Sequence, residues 1–196
     1  MTPPRPSIVV IAGPNGAGKS TIAPLILRGP LDVREFVNAD DIARGLSPFN
    51  IEGAAVAAGR IMLARIRDLA RQRVRFAFET TLASRSFAPW LKELKQDGYA
   101  VHLVFLWLPS ADVAAARVAD RVRSGGHSIP LETIRRRYHV GIRNFFGLYR
   151  PIATTWVVFD SSGRSRVLIA EGEAGRPPGV VDAGRWSAIR KANDGE

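Results

Sequence analysis

The sequence predicts an α/β fold, a mainly parallel five-stranded sheet flanked by helices in three layers, with a helical lid that carries arginines. Three observations predict it. Short β-branched runs alternate with segments of helical spacing, the pattern that sandwiches a parallel sheet between helices. A glycine-rich loop joins the first such run to the first helix. The 196 residues, 46% hydrophobic and 23% charged, suit one globular domain with a sizeable core.

The elements follow in order. SIVVIA at 7–12 is a short apolar run ending at Gly13 and reads as a buried strand. A helix is expected from Lys19 to Leu27. EFVNAD at 35–40 is a weaker strand. Apolar Val56, Met62, Ile66 and Leu69 mark a helix within 52–73, and RFAFET at 75–80 is a third strand. Ser86 to Gln96 is a helix stopped by Gly98. YAVHLVFLWL at 99–108 is the strongest strand signal. Pro109 and Ser110 open an alanine-rich helix to Arg123, where Gly125-Gly126 breaks it. Pro130 suits the first turn of a helix reaching about Phe146. TTWVVFD at 154–160 is the fifth strand, and Ser161-Ser162-Gly163 turns the chain into RVLIA at 166–170. Residues 1–170 are therefore expected to form the domain, with the lid at about 117–146. Residues 171–196 are expected as a tail with one short helix around Trp186. No internal repeat or low-complexity block is present.

Gly13-Pro14-Asn15-Gly16-Ala17-Gly18-Lys19-Ser20, followed by Thr21, matches G-x-x-x-x-G-K-[ST] between a strand and a helix. Glycines let backbone N–H groups wrap phosphates at a helix N-terminus, whose partial positive charge favours anions. Lys19 is expected to reach the β- and γ-phosphates and the Ser20 hydroxyl to ligate Mg²⁺. This is the phosphate loop of P-loop NTPases, and it assigns the three-layer sheet to that fold. ATP and Mg²⁺ are the expected cofactors.

Small kinases of this fold are favoured over GTPases and motors. The chain has no N-K-x-D guanine motif, and RFAFET lacks the hydrophobic run ending in Asp of ATPase motors. Asn38-Ala39-Asp40-Asp41 ends the second strand, where a carboxylate can orient an acceptor hydroxyl and take its proton. Asp40 is assigned that role, and helix capping is the alternative for Asp40 or Asp41. Glu79, followed by Thr80 and Thr81, ends the third strand. It would hold Mg²⁺ through water or bind acceptor hydroxyls. The alternative is an ion pair with Arg71, Arg73 or Arg75. Arg85, after the TTLAS turn, either reaches a substrate phosphate or stays on the surface.

The net charge is +10, and 24 of the 28 basic residues are Arg. Either coding bias or anionic ligands accounts for this, since guanidinium forks onto phosphate and carboxylate. The distribution favours ligands. Residues 117–150 carry eight Arg against Asp120 and Glu132, whereas 31–60 carry three Arg against five acids. Arg117 and Arg121 are spaced i,i+4 and share a helix face. Two helices joined by Gly125-Gly126 suit a mobile lid that brings those arginines onto the transferring phosphoryl group. Of Arg135, Arg136 and Arg137, at most one or two can face the site. His127 reads as a loop residue or a hydrogen-bond partner to the lid.

GPNGAGKST, NADDIA, FAFETTLASR, GYAVHLVFLWL, ARVADRVRSGGHSIP and RRYHVGIRNF together resemble the compact, stand-alone zeta toxins. These are P-loop kinases related by fold to chloramphenicol phosphotransferase, and the resemblance runs from residue 7 to about 162. It implies phosphorylation of a UDP-activated amino sugar on its 3′-hydroxyl, and an antitoxin protein as partner. Carried over by motif, Lys19 and Ser20 would serve nucleotide and Mg²⁺, and Asp40 would be the general base. Glu79 would bind the acceptor, and Arg117 or Arg121 would clamp phosphate. In the well-known toxins a second arginine lies in a longer loop, where this chain has Gly125-Gly126-His127.

Other classes are excluded or set aside. Zero cysteines exclude disulfides, cysteine-ligated metals and thiol catalysis, and three histidines argue against a His-rich metal centre. No apolar run reaches membrane-spanning length, and the N-terminus lacks a signal-peptide pattern, so a cytoplasmic protein is expected. A nucleoside or nucleic-acid 5′-kinase is the second enzymatic reading. Against nucleic acid, no aromatic–basic interleaving suggests a stacking platform. A nucleotide-dependent binding or switch module is the non-kinase alternative.

Overall fold

The computed structural model of the chain describes residues 5–29 and 31–194. β1 (Ser7–Ala12) is buried at every position, as its unbroken apolar run requires of a strand covered on both faces. α1 (Lys19–Leu27) follows directly from the glycine loop. β2 (Glu35–Val37) is shorter than its sequence signal. Asn38 ends it by capping α2 (Ala39–Leu46), so Asp40 sits in a first helical turn instead of at a strand end.

α3 (Ile51–Arg71), β3 (Phe76–Thr80), α4 (Phe87–Gln96) and β4 (Ala100–Trp107) follow. Ser110 caps α5 (Ala111–Arg123), and α6 (Leu131–Asn144) runs through a wide π turn at Phe145–Tyr149 into the short α7 (Arg150–Ile152). The chain closes with β5 (Thr155–Asp160), β6 (Val167–Glu173), β7 (Gly179–Val180) and α8 (Ala183–Asp194).

Among the described residues the sheet has seven strands in the order β2-β3-β1-β4-β5-β6-β7, where five were expected. The central pairings from β2 to β5 are parallel, whereas β5–β6 and β6–β7 are antiparallel. The extra strands arise because the Ser161–Gly163 turn returns the chain along β5, whose outer edge would otherwise expose unpaired backbone. The stretch expected as a tail holds the end of β6, β7 and α8. Trp186 on α8 stacks on Trp156 of β5, with ring centres 5.7 Å apart and planes inclined by 12°. β1 lies between β3 and β4, so the chain changes direction across the sheet at its C-terminal end. Ligands of open α/β sheets bind at such a point.

Candidate nucleotide and acceptor site

The loop after β1 is shaped by contacts only glycine permits. At Gly16, with φ +80°, a Cβ would lie 2.8 Å from the Ala114 carbonyl oxygen and 3.0 Å from the Arg117 Cβ. The N-terminal half of α5 therefore rests directly on the loop. A Cβ at Gly13 would meet the Leu106 carbonyl oxygen at 2.3 Å. The Lys19 ammonium folds back to donate to the Pro14 carbonyl at 2.9 Å and stands 3.7 Å from a Glu79 oxygen. Burial, the strongest influence, holds its pKa below the ordinary lysine value. Glu79 and Asp40 pull it up, and Arg121 and Arg137 push it further down.

Glu79 is the hub. Its Oε2 accepts from the Ser20 hydroxyl at 2.8 Å and from the Asn38 side-chain amide at 3.1 Å. The same amide lies 3.3 Å from Ser20 Oγ, while Asn38 Oδ1 accepts from the Asp40 backbone N–H at 2.8 Å. Asn38 thus caps α2 and ties β2, β3 and α1 together. The alternative pairing of Glu79 with a β3-flanking arginine does not occur. Arg71 pairs with Asp68, Arg73 donates to the Asp97 carbonyl and Arg75 to the Leu31 carbonyl. Asp40 and Asp41 leave the cap position to Asn38, and Asp41 pairs with Arg44.

Beside the loop lies a cavity of about 370 Å³. Lys19, Asn38, Asp40, Glu79 and Arg137 are among its lining residues. Hydroxyls of Thr80, Thr81, Ser84 and Ser86 line the remainder with Met62, Leu63 and Phe87. The turn that presents these hydroxyls is strained. Leu82 has φ +57°, and Asn144 holds it by donating to the Leu82 carbonyl at 2.7 Å, as Tyr149 does to the Ser84 carbonyl. Arg85 is exposed on that turn and does not line the cavity. Asp40 and Arg137 are shared with a second cavity of about 360 Å³ under the α5–α6 loop. A larger one, about 510 Å³, lies on the sheet face along β4, β5 and β6 and includes no phosphate-loop residue.

The two α5 arginines, Arg117 and Arg121, differ. Arg117 donates to the Ser161 and Ser162 carbonyls at 2.6 Å each, so it fastens α5 to the turn after β5. Arg121 is near enough to Lys19 to lower its pKa. It reaches the His127 carbonyl at 3.3 Å, and its Nε is buried without a partner. His127 in turn places Nε2 3.9 Å from an Asp40 oxygen. Burial, opposed by Asp40 and reinforced by Arg121, Arg44 and Arg137, keeps its imidazole pKa below the usual value.

Of the three consecutive arginines, Arg137 faces the site, with Nη1 3.5 Å from Asn15 Oδ1. Arg135 pairs with Asp112, and Arg136 is exposed. Sequence reasoning gave Asn38 no function and could not choose Arg137. The position of Asn38 next to an acidic pair before a helix was the available signal.

The Zeta toxin family model matches residues 1–168. The chain belongs to the Zeta toxin family. A protein of Haemophilus influenzae described as uncharacterized is 31% identical over 130 residues, 66% of this chain and 91% of its own length. Among solved structures, the AvrRxo1-ORF1:AvrRxo1-ORF2 complex with sulphate ions aligns at a TM-score of 0.75 and 14% identity. That alignment covers 94% of this chain and only 63% of the other, which is therefore considerably longer. The same complex with ATP aligns at 0.72 and 15% identity, with the same coverage. The PezAT toxin–antitoxin system of Streptococcus pneumoniae aligns at 0.69 and 15% identity, over 100% of this chain and 81% of the other. At these identities the structures establish a shared fold alone. Among the described residues, no helix is long and apolar enough to cross a membrane.

Proposed function

We propose that the chain is an ATP-dependent phosphotransferase that moves the γ-phosphate to a hydroxyl of a small or nucleotide-linked metabolite. One observation carries this reading. Lys19 of the phosphate loop lines one cavity with Asp40 and Glu79, Ser20 donates to the same Glu79, and hydroxyl-bearing Thr80, Thr81, Ser84 and Ser86 line the rest of that cavity. Family membership and the fold support the same class, and an AvrRxo1 complex solved with ATP supports ATP as donor.

In this reading the acceptor hydroxyl enters the cavity and hydrogen-bonds the Asp40 carboxylate. As its oxygen bonds the γ-phosphorus, the bridging bond to the β-phosphate breaks and ADP leaves, while Asp40 takes the proton. Lys19, Arg121 and Arg137 offset the negative charge on the transferring group. The Ser20 hydroxyl and Glu79 carboxylate, 2.8 Å apart, are an oxygen donor pair that fits Mg²⁺, which takes one or two protein oxygens and completes its shell with phosphate and water. When bound, it neutralises charge between the β- and γ-phosphates. Glu79 and Thr80 also border the cavity and would hold the acceptor.

A UDP-amino sugar is the acceptor that the family suggests, and an antitoxin is the suggested partner, since PezAT is a toxin–antitoxin system. ATP as donor fits a cytoplasmic protein. The test is transfer of label from γ-labelled ATP to a panel of sugars, UDP-sugars, nucleosides and short oligonucleotides. Label in a phosphomonoester of a sugar or UDP-sugar supports the reading. Label on oligonucleotide or nucleoside 5′-ends moves it to the polynucleotide or nucleoside kinases, and release solely as inorganic phosphate moves it to a switch.

A further inference from the structure

The phosphate loop has a second side, facing away from the acceptor cavity, and the segment after β5 covers it. The Ser161 hydroxyl donates to the Ala17 carbonyl at 2.7 Å, and the Ser161 N–H to the Trp107 carbonyl at 2.9 Å. Arg117 grips the Ser161 and Ser162 carbonyls from α5. Asp160 receives the Ser162 N–H at 2.8 Å and the Arg185 guanidinium at 2.7 Å. A strap from 160 to 166 is thereby fixed to the loop at one end and to β6 at the other.

Arg166 closes that strap. Its Nη2 lies 3.7 Å from where a Cβ on Gly18 would be, so the guanidinium stands directly against the residue that opens α1. Its Nε is buried with no hydrogen-bond partner. Among the described residues, Arg166 makes no ion pair and no side-chain hydrogen bond. A buried N–H without an acceptor is costly, and an anion bound against it removes that cost.

The chemistry of the loop says which anion. Lys19, Glu79 and Arg137 occupy the side where the γ-phosphate meets the acceptor. The rest of a nucleotide must leave on the other side, past Gly18. We propose that Arg166 is a nucleotide-binding residue whose guanidinium contacts the α-phosphate of the bound nucleoside di- or triphosphate. The inference rests on the phosphate-loop part of the function proposed above. It explains why an arginine outside the loop stands against Gly18 with its Nε buried and unpartnered.

The test is calorimetric titration of ADP into the full chain carrying R166A, R166K or K19A, with thermal unfolding of each nucleotide-free protein. A charge-assisted contact to phosphate predicts that R166A weakens ADP about ten- to a hundredfold. R166K, which keeps the charge, should bind at least about threefold more tightly than R166A. R166A binding ADP as wild type overturns the proposal. If R166A unfolds at a lower temperature, R166K decides: restored stability with no gain in affinity shows a packing role and also overturns it. K19A separates the two claims, because undiminished ADP binding there refutes the phosphate-loop reading itself.

Discussion

Replacing Asn38 with alanine removes two interactions at once. The Oδ1 bond to the Asp40 N–H is a helix N-cap, worth about 1 kcal/mol. The amide bond to the Glu79 carboxylate at 3.1 Å is charge-assisted, worth about 1.5–3 kcal/mol. The two share one side chain and are not additive, so N38A should lose about 2–4 kcal/mol. For a chain of this size that is about 4–16 °C in Tm. Urea unfolding followed by circular dichroism gives the free energy directly. N38D separates the two roles. It keeps the cap but faces Glu79 with a second carboxylate, so it should be least stable at neutral pH and recover as acid protonates one of the pair. An N38A protein within about 0.5 kcal/mol of wild type, the range of an inert surface change, would refute the assignment of Asn38 as the tie between α2, β3 and α1.

Two further predictions concern titration. Burial raises the Asp160 pKa, but hydrogen bonds from Ser162 and Arg185 outweigh it, and the net pKa lies below the ordinary carboxylate value. Its stabilisation is present above the unfolded value near 3.8 and is lost as pH falls through the lower folded value, so D160N should flatten the acid limb of stability against pH. The same variant at wild-type stability across pH 2–7, tracked by acid unfolding, would contradict this. All three tyrosines are shifted upward. Burial pushes Tyr138 and Tyr149 up to about 12 and raises Tyr99 despite Arg73. Ultraviolet titration should therefore show little phenolate at pH 10–11 while the fold persists. Because the folded pKa exceeds the unfolded value of 10, stability should fall as pH rises above 10. Normal phenolate appearance near pH 10 in the folded protein would count against the buried placement.

The phosphate loop was legible because everything it needs is local: eight consecutive residues between a strand and a helix. The parallel order of the first five strands was equally plain from alternation. What stayed hidden depends on distant partners. Glu79 could be placed at a strand end, but its choice of Ser20 and Asn38 over nearby arginines is fixed by β2–β3 pairing. The i,i+4 spacing correctly put Arg117 and Arg121 on one face of α5. It could not show that the post-β5 turn would take Arg117. Among residues 135–137, helical geometry allowed one or two to face inward, and the packing of α6 near the loop selects Arg137. The RVLIA run and the short helix expected around Trp186 lie in β6 and α8. Gly and Pro are frequent after Glu171 and the apolar pattern of α8 is weak, so neither β7 nor the burial of Trp186 and Ile189 could be read from the sequence.

The central claim is that Asp40 receives the acceptor proton during phosphoryl transfer. Its most direct measurement is the rate of label transfer from γ-labelled ATP to the best acceptor of the sugar and UDP-sugar panel, for wild type and D40N, with ADP affinity measured alongside. The account predicts a loss of about 10²–10⁴ in transfer rate with ADP affinity unchanged. D40N transferring label at the wild-type rate would contradict it.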